Sequence, residues 1–240
     1  MAPLPPRQRP RPVPANKREA YLMNAKPAAA KSFIRNWAKK RVPNASVIFD
    51  VGALNGNQSV EFAEAYPDAK VYCFEAHPEH AVVCRKVTAA YPNITVVEGA
   101  VGDIDGGTIT FWATKENNPG GSSLYKFTDK MIKRKHFKQH PIEVRNISLD
   151  TWAQGLEVPA PDILWVDLQG NEGPMLNGMH DLLRNTTIVH TEAHLEPAYH
   201  GQTMFDEICW RLRNAGLKMK HWIPTRSVVH CGDAIFLRED

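Results

Sequence analysis

An α/β fold built on a mostly parallel sheet, with helices on both faces, is what this 240-residue sequence predicts. Short apolar runs alternate with segments of helical periodicity, the rhythm of βαβ units. Several of those runs end in an acid, and the first is followed at once by a glycine-bearing turn. Parallel sheets bind ligands at just such strand ends.

The elements follow in order. Residues 1–15 are dense in Pro and Arg and offer little to bury, so a disordered or polyproline-like tail is expected. Apolar residues then recur at helical spacing up to Trp37, and Pro27 sets the start of a helix from about Pro27 to Lys40. Ser46 to Val51 is a buried strand, and a helix from about Gln58 to Tyr66 follows its turn. Lys70 to Phe74 is a second strand, Pro78 to Ala90 a helix with Pro in its first turn, and Ile94 to Val97 a third strand. Thr108 to Trp112 adds a further strand. Asn117 to Ser123 is a loop, and Lys126 to Lys138 a basic, helical insert. Ile163 to Asp167 and Thr187 to Thr191 complete the parallel set, Met204 to Asn214 is a helix, and Leu217 to Ile223 with Ala234 to Leu237 close the sheet as an antiparallel pair. The division expected is a tail or linker over 1–26 and one domain over 27–240, with an insert at about 113–145.

Composition narrows the function. Hydrophobic residues make up 43% and charged residues 23% of the chain, which suits one globular domain. No apolar run is long enough to span a bilayer, and the N-terminus lacks a secretory core segment. Four cysteines without a C-x-x-C pair suit a reducing compartment, hence a cytoplasmic expectation, and argue against structural zinc. The net charge of +3 conceals a division: residues 1–41 hold eleven Lys or Arg against one acid, and the rest holds 18 basic against 25 acidic residues. The basic character therefore belongs to an extension, which disfavours a nucleic-acid cradle in the fold itself.

The chemistry-bearing residues begin with Asp50, Gly52, Ala53, Asn55 and Gly56, between the first strand and its helix. Glycine there lets the backbone approach a ligand, and loop amides beside a helix N-terminus suit polar groups. Glu75, at the end of the second strand, can accept both ribose hydroxyls of an adenosine. The glycine spacing is wider than the G-x-G-x-x-G turn of a dinucleotide site, which favours an adenosyl cofactor without phosphates. Asp50 could balance a sulfonium or ammonium. Ala100, Val101 and Asp103 lie where adenine would bind, though Asp103 is equally a turn residue. Asp167 tips the fourth core strand. Glu192 and His194 share one side of the fifth, where His194 could take a hydroxyl proton near neutral pH or serve as a structural histidine. Glu172 could face an acceptor or simply favour a helix N-terminus. Gly120 to Ser123 read as a mobile cover or a plain loop, and the lysines from Lys126 to Lys138 as a solvated face or a seat for an acidic acceptor.

VIFDVGALNGNQS, VYCFEAHPEH, VEGAVGD, GGSSL, SLDTW, ILWVDLQGNEGPML and IVHTEAH, in this order from Ser46 to Arg238, resemble the FkbM family of methyltransferases. The resemblance implies a class I methyltransferase, Rossmann-like fold with seven strands, S-adenosylmethionine as donor, and an oxygen nucleophile on a sugar, glycan or other small hydroxylated acceptor. Two departures are Gln169, where the family commonly shows glutamate, and His77, where it commonly shows proline; the second is expected to alter only the loop. On these grounds Asp50, Gly52, Ala53, Asn55, Gly56, Ser59, Glu75, Ala76, Ala100, Val101, Asp103, Ser122, Ser123 and Asp167 are assigned to the cofactor. Asp167, His194 and Glu192 are assigned to catalysis, and no metal is expected. The alternatives are an RNA cap or ribose methyltransferase anchored by the basic tail, a non-catalytic adenosyl-binding module, and, more distantly, a dehydrogenase.

Overall fold

A computed structural model describes residues 29–114, 118–135, 137–225 and 231–239. The expected tail, residues 1–26, lies outside them. A helix, α1 (Ala29–Arg41), leads into alternating β1 (Val47–Val51), α2 (Asn57–Ala65), β2 (Lys70–Glu75), α3 (Pro78–Thr88) and β3 (Ile94–Glu98). Next come β4 (Ala100–Gly102), β5 (Thr108–Thr114), α4 (Asp129–Lys135), β6 (Gln139–Ser148) and α5 (Leu149–Gly155). The chain ends with β7 (Ile163–Val166), α6 (Glu172–Asn177), α7 (His180–Leu183), β8 (Ile188–His194), α8 (Phe205–Asn214), β9 (Leu217–Thr225) and β10 (Cys231–Arg238).

Seven strands form one sheet in the order β3-β2-β1-β7-β8-β10-β9. The first five are mutually parallel; β10 runs antiparallel to both β8 and β9. This is the α/β, class I methyltransferase arrangement with its closing antiparallel pair. Strand order reverses between β1 and β7, so the crevice outside their carboxyl ends is a topological switch point, where open α/β sheets bind ligands.

Alternation along each strand distributes the core to both faces of the sheet. Phe49, Val51, Leu164, Val166 and Val189 pack on one face, with Leu149 and Trp152 of α5, Met175 of α6, and Ile208 and Leu212 of α8. Ile48, Val71, Ile163, Trp165 and Ile188 pack on the other, against Ile34 and Ala38 of α1 and Phe62 and Ala63 of α2. Strands buried on both faces are mostly apolar, which is why β7, and β1 apart from Asp50, stand out in the sequence.

Three expectations need correction. The basic insert is a short helix, α4, and not a helix through Lys138; β6 follows it and pairs with β4 and β5 in a second, three-stranded sheet. The sequence hides β6 because Pro141 interrupts it and its outer half alternates between partly buried and exposed residues. Three short helices, α5, α6 and α7, were also not expected, each under two full turns. The fifth parallel strand extends to His194 rather than ending at Thr191.

Candidate active site

The chain leaves β1 through Gly52, at φ +87°. A Cβ on Gly52 would stand 2.1 Å from the carbonyl oxygen of Asp167, so only glycine lets the ends of β1 and β7 run this close. The amides of Gly52 and Ala53 both donate to the Phe74 carbonyl at 3.0 Å, tying the turn to β2. Glu75 comes next. One carboxylate oxygen accepts from the Leu54 amide at 2.7 Å and the other from the His77 amide at 2.8 Å. The side chain is buried, yet it reaches the wall of a cleft at the switch point.

That cleft has an apolar side made by Phe74, Ala76, Val101 and Phe111, and an acidic contribution from Glu75 and Asp167. Gly52, Leu54, Gly99, Gly120, Ser122, His80, Leu168 and Gln169 complete the lining. No Lys or Arg is among these residues.

Of the residues assigned to the cofactor, Gly52, Glu75, Ala76, Val101, Ser122 and Asp167 therefore meet at one cleft; the others stand outside its lining. Asp50 is buried and accepts the Ser59 hydroxyl at 2.5 Å, a bond that fastens β1 to α2 behind the turn. Asn55 accepts from the Asn57 amide at 3.0 Å and so shapes the start of α2. Gly56 adopts φ +75°, and a Cβ there would crowd Thr88 and Cys84 of α3, so its role is packing. Ala53 packs with Cys73 and Cys84, and Ala100 with Phe111 and Val144. Asp103 is exposed, because the GDIDGG turn carries it outward. Ser123 donates to the Gln169 carbonyl at 2.8 Å and accepts from the Tyr125 amide; it is a pin and not a free hydroxyl. The segment expected to cover the cleft carries a 3-10 turn at Pro119–Gly121 and backbone bonds in both directions between Trp112 and Ser123.

Of the catalytic candidates, Asp167 lines the cleft, and Glu192 and His194 stand outside its described lining. Asp167 follows β7, and Glu192 and His194 end β8. The Gln169 amide nitrogen donates to Asp167 at 2.6 Å and to Glu192 at 2.8 Å. Burial holds the His194 imidazole below its usual range, and the Asp167 charge opposes that shift only in part. His194 is thus a neutral base at neutral pH.

Of the two roles that the sequence left open for Glu172, the structure shows the helix-start acid, outside the described lining of the cleft. It stands in the first turn of α6, and it is 3% exposed, with one oxygen accepting from the amides of Leu168 and Gly170. Burial pushes its carboxyl up from 4.5 to about 7, with the Asp167 charge adding to the shift and the amide donors opposing it. A raised carboxyl favours the folded state fully below the unfolded value of 4.5, and that stability is lost as pH rises through about 7. The amount is roughly 3 kcal/mol. Urea denaturation at pH 5 and pH 8 should therefore show wild type losing stability with pH, and Glu172→Gln losing much less. Equal losses in the two proteins would contradict this.

Phe111, His80 and Tyr199 are among the residues here that escaped the sequence reading. Phe111 reaches the cleft from β5. His80, buried on α3, lines the cleft with its Nδ1 3.7 Å from Glu75, and stacks on His77. His77 itself caps α3 by accepting from the Glu79 amide, more than a change of loop. Tyr199, 2% exposed, donates to Gln169 Oε1 at 2.8 Å. Only the placement of Tyr199 in a turn-rich stretch, shortly after two candidate catalytic residues, could have pointed to it.

With this geometry in view, likeness to known proteins gains meaning. Residues 50–219 match the family model described as the methyltransferase FkbM domain. A 2-O-methyltransferase, NoeI, of Sinorhizobium fredii is 27% identical over 164 residues, which cover 65% of this chain and 66% of that protein, just under two thirds of its length. Among solved structures, a putative O-methyltransferase from Klebsiella pneumoniae shares the fold at a TM-score of 0.52 and 14% identity, covering 95% of this chain and 92% of that one. Magnesium protoporphyrin IX methyltransferase of Synechocystis, solved with bound S-adenosylmethionine, does so at 0.52 and 10%, covering 92% and 90%. The family match covers more than half of the chain and embraces every wall of the cleft, and so this chain belongs to the FkbM methyltransferase family.

Proposed function

We propose that this protein transfers a methyl group from S-adenosylmethionine to a hydroxyl oxygen of a sugar, glycan or other small hydroxylated acceptor. One observation carries the reading: among the described residues, the lining of the cleft at the switch point holds two carboxylates and a set of apolar side chains, and no Lys or Arg. A phosphate-bearing cofactor would meet two acids there. An adenosine that carries a sulfonium finds an acid for its ribose and another for its charge. The likeness to a 2-O-methyltransferase supports an oxygen acceptor.

S-adenosylmethionine, when bound, supplies a methyl carbon made electrophilic by the sulfonium. Glu75, its carboxylate held by the Leu54 and His77 amides, would accept hydrogen bonds from the ribose hydroxyls. Val101, Phe111 and Ala76 would offer an apolar seat for the adenine. Asp167 would place negative charge beside the cation. His194, neutral because buried, accepts the proton of the acceptor hydroxyl, and Asp167 steadies the imidazolium that forms. The cluster around Gln169 excludes bulk water and aligns the attacking oxygen.

The test is transfer of an isotopic methyl group to a panel of deoxy sugars, oligosaccharides and small polyols, with RNA as a comparison. The expected product is an alkali-stable methyl ether on a sugar or polyol hydroxyl. Label found in RNA alone, or in no hydroxylated compound, would overturn the proposal.

A further inference from the structure

We infer that Gln169 is a positioning residue for the reaction, its side-chain nitrogen clamping Asp167 to Glu192 so that both carboxylates keep fixed orientations toward the acceptor. The inference rests on the reading of the Asp167 side of the cleft as the acceptor site, and it adds a residue that carries no chemistry of its own.

The geometry is specific. A primary amide has two N–H donors, and here one meets Asp167 at 2.6 Å and the other Glu192 at 2.8 Å. The carbonyl end, Oε1, accepts the Tyr199 hydroxyl at 2.8 Å. A reversed amide would aim its oxygen at two carboxylates and its nitrogen at a donor, so the network admits a single orientation. Tyr199 is positioned in turn by Gln202, whose Oε1 accepts the Ala198 and Tyr199 amides, each at 2.7 Å. The Gln169 carbonyl accepts the Ser123 hydroxyl, so the segment that borders the cofactor cleft is tied to the same residue.

The backbone carries the second indication. Gln169 sits at φ +53°, in the left-handed region, followed by Gly170 at +106°. A residue with a side chain is strained there, and persists where its surroundings over-determine it. Glycine would relieve that strain at once but would forfeit the clamp. Strain accepted in exchange for a side chain that touches β7, β8 and the Tyr199 turn together marks that side chain as functional.

The charged and titratable groups facing this amide are Asp167 after β7, Glu192 and His194 on β8, Tyr199, and Glu172 on α6, whose charge is felt by Tyr199 together with those of Glu192 and Asp167. A donor between two carboxylates favours the ionised form of each. A glutamate in its place could donate to one of them only while it carried a proton itself.

The experiment is a carboxylate ¹³C NMR titration of the full chain bound to S-adenosylhomocysteine, in wild type, Q169E and the apolar near-isostere Q169M. It runs alongside the pH profile of kcat/KM and calorimetry of S-adenosylhomocysteine binding. In both variants the Asp167 and Glu192 resonances should titrate about one pH unit or more higher than in wild type. kcat/KM at pH 7 should fall at least about tenfold in Q169M, and by clearly more than the affinity for S-adenosylhomocysteine, whose cleft Gln169 also lines, while Q169E should retain more of it below neutral pH, where its carboxyl can carry a proton. Unchanged titrations in whichever variant folds, or a rate loss matched by an equal loss of affinity, would overturn the inference. The NMR readout needs no acceptor, so failure of the hydroxyl-methylation reading and failure of the clamp remain distinguishable.

Discussion

Replacement of Asp167 by Asn should lower kcat by about 10²-fold or more, the usual scale for removing a group that stabilises developing charge, while leaving the protein folded. Asp167 lines the cleft, accepts from Gln169, and supplies the nearby charge that acts on His194. Its carboxylate thus faces a cationic cofactor on one side and the developing imidazolium on the other. Asparagine fills the same volume and can still accept from Gln169, so the architecture should survive. Two signatures separate loss of charge from simple disruption. Affinity for S-adenosylmethionine should fall further than affinity for its neutral product, because only the former carries a sulfonium. The acid limb of the pH profile should also move to lower pH, since removing Asp167 removes the interaction that raises His194 against the effect of burial. Steady-state kinetics with parallel calorimetry of both cofactor forms measures each signature. A loss of rate with equal weakening of both forms would point to disruption instead.

Much of the fold is legible in the sequence because a parallel sheet covered on both faces needs unbroken apolar strands. SVIFDV and ILWV declare themselves by composition, and their acid or acid-following ends mark where the ligand edge lies. β6 is illegible for the converse reason: half-exposed and carrying Pro141, it looks like loop until β5 is seen beside it. The short helices α5 to α7 fall below the length at which periodicity is readable.

The site divides along the same line. Gly52, Glu75 and Asp167 could be found because each follows directly from a strand whose position the pattern fixes. Asp103 obeys the same rule in sequence and fails it in space, since its turn swings outward, and Asp50 and Ser59 turn out to bond one another behind the ligand wall. Tyr199, Phe111 and His80 reach the cluster or the cleft from segments far apart in the chain, and nothing local announces that convergence. Gln169 was noticed as a departure from the family pattern, yet its meaning depends on two carboxylates that only the folded chain brings within reach of one amide.

The cofactor site can be tested without any acceptor, and Glu75 is the residue on which to test it. Its two oxygens are fixed by the Leu54 and His77 amides, so the carboxylate is preorganised before a ligand arrives. Glutamine in its place keeps the volume and can retain one of those bonds, but loses the charge that strengthens hydrogen bonds from ribose hydroxyls. Bonds to charged groups contribute about 1.5–3 kcal/mol, so the affinity should drop between roughly tenfold and a hundredfold. The deciding measurement is a calorimetric titration of S-adenosylhomocysteine into wild type and Glu75→Gln at matched pH and salt. The cleft described here predicts one site per chain in wild type and binding at least about tenfold weaker in the variant. Equal affinities in the two proteins, or no binding to either, would contradict it.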